Sequence, residues 1–125
     1  MYTVKIRDHI MIAHSLGSDG YFGPAQNLHG ATYIVDVTFY SRGLNDHNIV
    51  VDISKAHDVL KSVLQPLNYK NLDEVDELTG NITTTEFMAK HIHDEVKSKI
   101  AAYFKGKIKV TLGESHVAWA SYESE

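Results

Sequence analysis

Two long runs of alternating apolar and polar residues constrain the fold of this chain more than any other feature. In the first run, apolar residues occupy most even positions from 2 to 12, and the run ends on His14. In the second run they occupy the odd positions from 31 to 39, and His29 and Ala31 share that apolar face. Successive side chains of a strand point to opposite faces, so the runs predict two long strands. A histidine ends the first strand and another begins the second, an arrangement typical of part of a metal site.

The segment between these runs has the composition of a long loop. Residues 15–27 contain three glycines, a proline, two serines and an aspartate in close succession, which is turn chemistry. Loops of about a dozen residues are often functional.

Two helices are predicted in the middle of the chain. Asp52 is placed to cap the first helix, whose apolar residues follow a three-then-four spacing until Pro66 ends it. The run 83–86 has the form of a capping box that starts the second helix, with Thr83 accepting a backbone N–H and Glu86 reaching back. This helix is expected to continue to about Phe104, and its apolar stripe consists of Met88, Ile92, Val96 and Ile100.

Two further alternating segments, 107–112 and 117–122, predict a second hairpin. The order strand, strand, helix, helix, strand, strand in a single domain of residues 1–125 predicts an α+β fold, with an antiparallel four-stranded sheet and both helices on one face. Four aromatic residues indicate that the other face is also partly apolar: Tyr33, Tyr40, Trp119 and Tyr122. Association into a ring that joins sheets edge to edge would cover this face and remove open edges.

Composition excludes several classes of function. The chain has 12 basic and 16 acidic residues, a net charge of −4, and no cluster of lysine and arginine, which argues against nucleic acid or an anionic membrane as partner. It has no cysteine, so any transition-metal site must use His, Asp or Glu. No run is long enough to span a membrane and no signal peptide is evident, so the expected location is the cytoplasm.

Several short strings, taken in order, resemble the 6-pyruvoyl-tetrahydropterin synthase and 6-carboxytetrahydropterin synthase family, whose members have the tunnelling fold. The resemblance spans nearly the whole chain and implies a barrel built from several subunits, as a hexamer of two stacked trimers. The strings are Ile12-Ala13-His14, Leu28-His29-Gly30 with Tyr33, Val51-Asp52-Ile53, the run from Pro66 to Asp73, Thr84-Thr85-Glu86 and Gly113-Glu114-Ser115.

The resemblance implies a zinc-dependent lyase, and the zinc ligands are only partly present. The family binds zinc through three histidines, one at the end of the first strand and two in a His-x-His string. Here His14 and His29 match, and the third position is Ala31. Catalytic zinc normally has three protein ligands and a water, so zinc binding is left open by the sequence. His116 and Asp19 are the candidates for a replacement third ligand.

The residues that carry the family's chemistry are also changed. The position of the bacterial-type cysteine nucleophile is Ala25, and the Asp-His pair that completes proton transfer is replaced by Asn68 and Tyr69. An amide and a phenol with a pKa of about 10 are poor bases at neutral pH. No catalytic residue is therefore assigned, and whether the chain is an enzyme stays open.

The residues that hold the substrate ring in the family are present. Glu114 matches the glutamate that accepts hydrogen bonds from the amino and ring N–H groups of the pterin, and a carboxylate offers two adjacent acceptors for such donors. Thr84, Thr85 and Glu86 match a Thr-Thr-Glu string that supplies further ring contacts across a subunit boundary. Glu86 has an alternative role as part of the capping box.

Three functions are carried forward. The leading one is a homo-oligomer that binds a pterin-like or purine-like ring through Glu114 and has lost or changed the lyase chemistry. The second is an active zinc-dependent enzyme with a substituted ligand and altered proton transfer, and the third is a non-catalytic assembly subunit. The remaining histidines are interpreted as surface or turn residues: His9, His47, His57, His91 and His93.

Overall fold

The sheet that the alternating runs predict is present in the computed structural model, which describes residues 1–124. Its strands are β1 (Tyr2–His14), β2 (His29–Ser41), β3 (Lys70–Asn71), β4 (Lys107–Ser115) and β5 (Ala118–Glu123). The helices are α1 (Ile53–Leu64) and α2 (Thr85–Ile100). The strand order is β3-β1-β2-β4-β5, antiparallel throughout except for β3, which is parallel to β1. The predicted α+β architecture is confirmed, with β3 as an addition to the four expected strands.

The β1–β2 hairpin fixes the position of the two histidines. Its ladder runs without a bulge from Tyr2 opposite Ser41 to His14 opposite His29. Directly opposed residues on one face of an antiparallel pair are close neighbours. The hairpin therefore brings both imidazoles to the end of the sheet where the long loop begins.

The extra strand β3 is held on the edge of β1 by the residues after α1. The backbone N–H of Tyr69 donates to the Met11 carbonyl at 2.7 Å, and the Asn68 side-chain oxygen accepts from the Met11 N–H at 3.0 Å. Tyr69 has a φ of 60°, which an L-residue adopts only at some cost. Two residues are too few to show a period, so no pattern of residues indicates this strand.

The helix caps partly agree with prediction. The Asp52 carboxylate accepts from the Lys55 N–H at 3.2 Å, which confirms the first cap. The cap of α2 is Thr84, whose hydroxyl accepts from the Phe87 N–H at 3.1 Å, so the prediction of Thr83 is wrong by one residue. The helix also ends at Ile100 and not near residue 104. Within residues 1–124 no helix is long and apolar enough to cross a membrane.

Both helices pack on the same face of the sheet, and the predicted apolar stripe of α2 is fully buried. Tyr33 lies under the helices with no exposed surface, and Tyr122 packs against the buried ring of His93 with 4.8 Å between ring centroids. The expectation that these two tyrosines belong to the other face is therefore wrong, as is the surface position predicted for His93. Tyr33 shares its parity with the core residues Val35 and Val37, which explains its position.

The open face of the sheet carries charged residues together with large apolar ones, in line with the prediction of a partly apolar face. Arg7 and Asp36, paired across β1 and β2, form two hydrogen bonds of 2.6 and 3.0 Å, and this pairing lowers the pKa of the Asp36 carboxyl. Trp119, Met11 and Ile34 are large apolar residues of this face, with 63%, 47% and 37% of their surfaces exposed. The ring of subunits inferred for this face stays a prediction.

Candidate functional site

The two histidines that match family zinc ligands lie side by side. The ring centroids of His14 and His29 are 4.7 Å apart, and the rings meet edge to face. His14 is buried and its Nδ1 is 3.0 Å from the hydroxyl of Thr83, while Nδ1 of His29 is 2.7 Å from the carbonyl oxygen of Asn27. Both Nδ1 atoms are thus engaged by the protein.

These contacts favour the form of imidazole that binds metals. A carbonyl oxygen only accepts, so Nδ1 of His29 carries the proton in this bond and Nε2 is left with a lone pair. Burial lowers the pKa of His14, and the neighbouring His29 lowers it further. A metal needs the neutral ring, so the surroundings of His14 favour the ligand form over the charged form.

The pair does not by itself complete a catalytic zinc site. Ala31 occupies the third family position, opposite Ile12 in the ladder, and has no donor atom. The two replacement candidates are exposed: His116 lies in the β4–β5 turn, and Asp19 accepts from the Tyr21 N–H in the long loop. Within residues 1–124, no third His, Asp or Glu donor converges with the pair to form a metal-binding group. The residues present therefore supply two of the three protein ligands.

Asp73 is a further charged group at this end of β1, and the sequence indicated it only as the last residue of a family string. Its carboxylate accepts from the Ser15 N–H at 3.1 Å and from the Ser15 hydroxyl at 2.5 Å. It is near enough to His14 to oppose the lowering of the pKa of that imidazole. The aspartate ties the segment after β3 to the start of the long loop.

The remaining family positions have structural contacts. Ala25 lies in a 3-10 turn (Gly23–Gln26), where its carbonyl accepts from the Leu16 N–H at 3.0 Å. The amide oxygen of Asn68 is taken up by β1, and the Tyr69 side chain is 77% exposed. None of the three offers a base or nucleophile next to the histidine pair within the described chain.

Glu114 is placed by a bulge between the last two strands. Gly113 pairs with Trp119 and Ser115 pairs with Ala118, so Glu114 has no partner of its own in β5. Bulges often redirect a side chain next to a functional site. Here the carboxylate reaches the start of α2, where it accepts a hydrogen bond from the Thr85 hydroxyl at 3.1 Å. The structure thus brings together two of the residues predicted to bind the ring.

Gly113 has a role of its own in this bulge. A Cβ at this position would lie 3.1 Å from two atoms of the Trp119 indole. Because glycine has no side chain, the indole can lie across the strand at the mouth of the site.

A groove of about 550 Å³ opens in front of Glu114. It is lined by two carboxylates, two hydroxyls and aromatic rings from the long loop and from β5. Its principal residues are Glu86, Glu114, Thr84, Thr85, Trp119 and the Tyr21–Phe22 pair. Concave sites with aromatic walls and a few polar groups are typical of small-molecule binding. All four predicted ring-binding residues thus lie on one groove.

Tyr33 adds a polar atom that the sequence analysis did not assign to the site. Its hydroxyl is buried and has no hydrogen-bond partner of good geometry within the described residues. Burial raises the pKa of this phenol to about 12, against a smaller lowering by the neighbouring Thr85 hydroxyl, while the charges of Glu114 and Glu86 also raise it. The phenol therefore stays protonated and can donate a hydrogen bond.

Comparison with known proteins agrees with this geometry. Residues 3–125 match the family model described as 6-pyruvoyl tetrahydropterin synthase. The chain is 32% identical over 77 residues to the 6-pyruvoyl tetrahydrobiopterin synthase of Dictyostelium discoideum, covering 60% of this chain and 57% of that protein. It is 27% identical over 122 residues to the 6-carboxy-5,6,7,8-tetrahydropterin synthase of Aquifex aeolicus, covering 79% of this chain and 75% of that protein. The first match thus spans little more than half the length of that relative.

Solved structures of similar fold cover the chain almost completely. The 6-pyruvoyl tetrahydropterin synthase of Caenorhabditis elegans superposes with a TM-score of 0.85 at 23% identity, over 99% of this chain and 96% of that one. The Plasmodium vivax enzyme superposes with a TM-score of 0.77 at 15% identity, over 100% and 99%. These likenesses confirm the predicted tunnelling fold. Because the family model also matches nearly every residue, the chain belongs to the 6-pyruvoyl tetrahydropterin synthase family.

Proposed function

We propose that this protein binds a pterin-like or purine-like ring in the groove, with Glu114 as the anchor. The observation that carries the proposal is the convergence of Glu114 and Thr85 on one groove by way of the β4 bulge. A carboxylate with two parallel acceptor atoms complements the amino and ring N–H donors of a 2-amino-4-oxo ring. Trp119 and the Tyr21–Phe22 pair supply apolar surface for a flat ring.

The proposal includes a loss or change of the family's zinc-dependent lyase chemistry. It is supported by the joint absence of the nucleophile, the third histidine and the Asp-His pair, at Ala25, Ala31, Asn68 and Tyr69. The contacts of Asn68 favour a role in holding β3 on β1. The groove is open in the single chain, and the proposed homo-oligomer, a hexamer of two trimers, would add walls to it. A cytoplasmic location stays a prediction.

A thermal-shift assay with neopterin, guanosine and adenosine tests the binding proposal. Neopterin and guanosine present the adjacent amino and ring N–H donors, and adenosine does not. At a ligand concentration one hundred times Kd, a ligand that binds only the folded state stabilises it by about 2.7 kcal/mol. We expect the first two compounds, and not adenosine, to raise the melting temperature.

The matched variants are Glu114→Gln and Glu123→Gln, two glutamates of the same hairpin. Hydrogen bonds to a charged group contribute about 1.5–3 kcal/mol, so Glu114→Gln should weaken neopterin binding by about tenfold to a hundredfold. Glu123→Gln should leave it unchanged. Equal shifts in wild type and Glu114→Gln would overturn Glu114 as the anchor, and the absence of any shift in wild type would favour the non-catalytic assembly subunit.

The second candidate, an active enzyme with a rebuilt metal site, is favoured by one observation. Nδ1 of both His14 and His29 is engaged, which leaves each Nε2 available to a metal. Zinc analysis of protein purified without chelator, with turnover of dihydroneopterin triphosphate, separates the candidates. Stoichiometric zinc that is lost in His14→Ala, together with turnover at an ordinary enzymatic rate, would overturn the proposed loss of chemistry.

A further inference from the structure

Three potential metal ligands converge on the outer side of α2, at residues separate from the groove and from the histidine pair. His91 and Glu95 are four residues apart on the helix, and Glu77 comes from the 3-10 turn Asp76–Leu78. Each offers one ligand atom, and these atoms all lie within 4.8 Å of one another. Residues at i and i+4 share one side of a helix, so α2 presents two of the three groups as a preformed pair.

The donor set suits a divalent transition metal. One imidazole and two carboxylates are ligands that zinc and its neighbours accept, and two such groups with a third complete a three-ligand site. Around a metal at about 2.1 Å from each ligand, tetrahedral neighbours are about 3.4 Å apart. The three ligand atoms lie within 4.8 Å of one another, so closing to that distance needs shifts of at most little more than an ångström, which side-chain torsions can provide because Glu77 is exposed and the other two are half-buried.

The electrostatics of the cluster call for a cation. Two carboxylates lie close together, and within residues 1–124 no hydrogen bond or ion pair joins Glu77, His91 or Glu95 to another side chain. The adjacent position on the same helix is different, because Asp94 has a Lys90 partner at 2.8 Å and a His93 partner at 2.9 Å. The carboxylate of Asp94 is neutralised by the protein, whereas the pair at Glu77 and Glu95 is not.

We propose that Glu77, His91 and Glu95 bind one divalent transition-metal ion of the zinc class. The ion ties the turn Asp76–Leu78 to α2 and leaves at least one coordination position for water. It therefore cross-links the acidic segment between the helices to the helix whose first turn lines the groove. In this proposal His91, which was interpreted from the sequence as a surface residue, is a metal ligand.

Zinc titration of the full chain in a His14→Ala, His29→Ala background tests the site without the other histidines. We expect one zinc ion per chain and a higher melting temperature with zinc. Glu95→Gln, which keeps the size of the side chain, should weaken zinc binding by about tenfold or more, because even losses outside the ligand shell cost about 10–100-fold. Glu77→Gln, outside the helices, should have the same effect.

His57→Ala is the matched control, an exposed histidine on α1 with no carboxylate pair beside it. It should leave zinc binding unchanged, and circular dichroism of each variant verifies that the fold is retained. The proposal is overturned if zinc does not bind the double-histidine variant, or if binding is indifferent to Glu77→Gln and Glu95→Gln. Neopterin shifts in the same variants report the groove separately, so failure here leaves the ring-binding proposal intact.

Discussion

The groove carries the positions predicted to bind the ring and the histidine pair carries positions predicted to bind the metal, and the two regions differ in how many family residues they retain. In the groove, all four positions predicted to bind the ring carry the residue that the family resemblance implies, and Glu114 and Thr85 are hydrogen-bonded. In the histidine pair, two ligands remain in place while Ala31 and Ala25 have no reactive atom. The two regions come from different elements. The groove is formed by α2 and the β4–β5 hairpin, whereas the histidine pair lies on the β1–β2 hairpin. The proposed ring binding and the proposed loss of the lyase chemistry therefore concern different elements of the fold.

The presence of the two histidines can be explained by their contacts within the protein as well as by metal binding. His14 is buried and bonded to Thr83, a hydroxyl that is itself 1% exposed. Loss of either group would leave a buried polar atom without a partner, which costs stability. Within the ligand frame formed by His14 and His29, His14 is thus also part of the core and is expected to be retained with or without a metal.

The strongest test of the difference between the groove and the histidine pair is Ala31→His, which supplies an imidazole at the third family position. If the frame is intact, the third ligand should tighten zinc binding by about a hundredfold or more, since outer-shell changes alone are worth about 10–100-fold. The measurement is zinc titration in a Glu95→Gln background, which removes the site on α2. Thr32→His is the control, because the adjacent residue points to the open face and is exposed. An equal gain from both variants would show that the frame is not preserved.

Thr83→Val tests whether the fold holds His14 in place. The valine has the same shape but cannot bond to Nδ1, so the free energy of unfolding should fall by about 1–3 kcal/mol. Urea denaturation measures this change, and the exposed Thr32→Val should be nearly neutral. Equal effects of the two variants would mean that the hydrogen bond adds nothing and that His14 is retained for another reason.

Tyr33→Phe tests a buried hydroxyl near the groove by the same kind of substitution. Here the expected change in the free energy of unfolding has the opposite sign. Because the hydroxyl lacks a good partner, its removal should leave the apo protein unchanged or up to about 1 kcal/mol more stable. If the hydroxyl serves the ligand, neopterin affinity should fall by about twofold to tenfold, the range of one neutral hydrogen bond. Tyr40→Phe on the open face is the control. A clear loss of apo stability would assign the hydroxyl to the fold and not to the groove.

The Arg7–Asp36 pair lies outside both the groove and the histidine pair and serves as a reference. Its loss should change the stability least among the variants proposed here. Arg7 lowers the folded pKa of Asp36 below its ordinary 3.8, so the stabilisation is present above that pH and is lost as pH falls through the folded value. Asp36→Asn should therefore be slightly less stable than wild type at pH 7, and the difference should vanish in acid. Exposed pairs contribute little. If the loss of stability in Asp36→Asn does not depend on pH, it comes from packing and not from the charge pair. Arg7→Gln should reproduce the pH-dependent part of the loss.

Periodicity predicted most of the fold, and it failed where tertiary contacts decided between local alternatives. The two long strands and the α2 stripe follow from spacing alone. Thr83 and Thr84 are equally able to cap α2, and His14, a residue from another element, takes the hydroxyl of Thr83. The strand β3 exists only because Asn68 and Tyr69 bond to the edge of β1.

Residues of the candidate site could be predicted from the sequence where they match a family string. Features of the site that depend on three-dimensional packing could not be predicted in this way. Glu114 was identified from its string, but its orientation depends on a bulge that no pattern reveals. The partnerless hydroxyl of Tyr33 is a property of packing. Glu77 lies in a segment without period, so its approach to His91 and Glu95 could not be inferred, although the spacing of the last two was a usable signal.

The connectivity of the sheet also sets an order for folding. His14 and His29 meet through a hairpin between neighbouring segments, whereas the groove needs β4 to pair with β2, which joins Ile34 to Gly113 across most of the chain. Pairings distant in sequence cost more loop entropy and form later. We expect Ile10→Val to slow folding and Leu112→Ala mainly to speed unfolding, as stopped-flow kinetics can show. The histidine pair would then assemble before the groove, so the proposed ring site would be among the last parts of the chain to form.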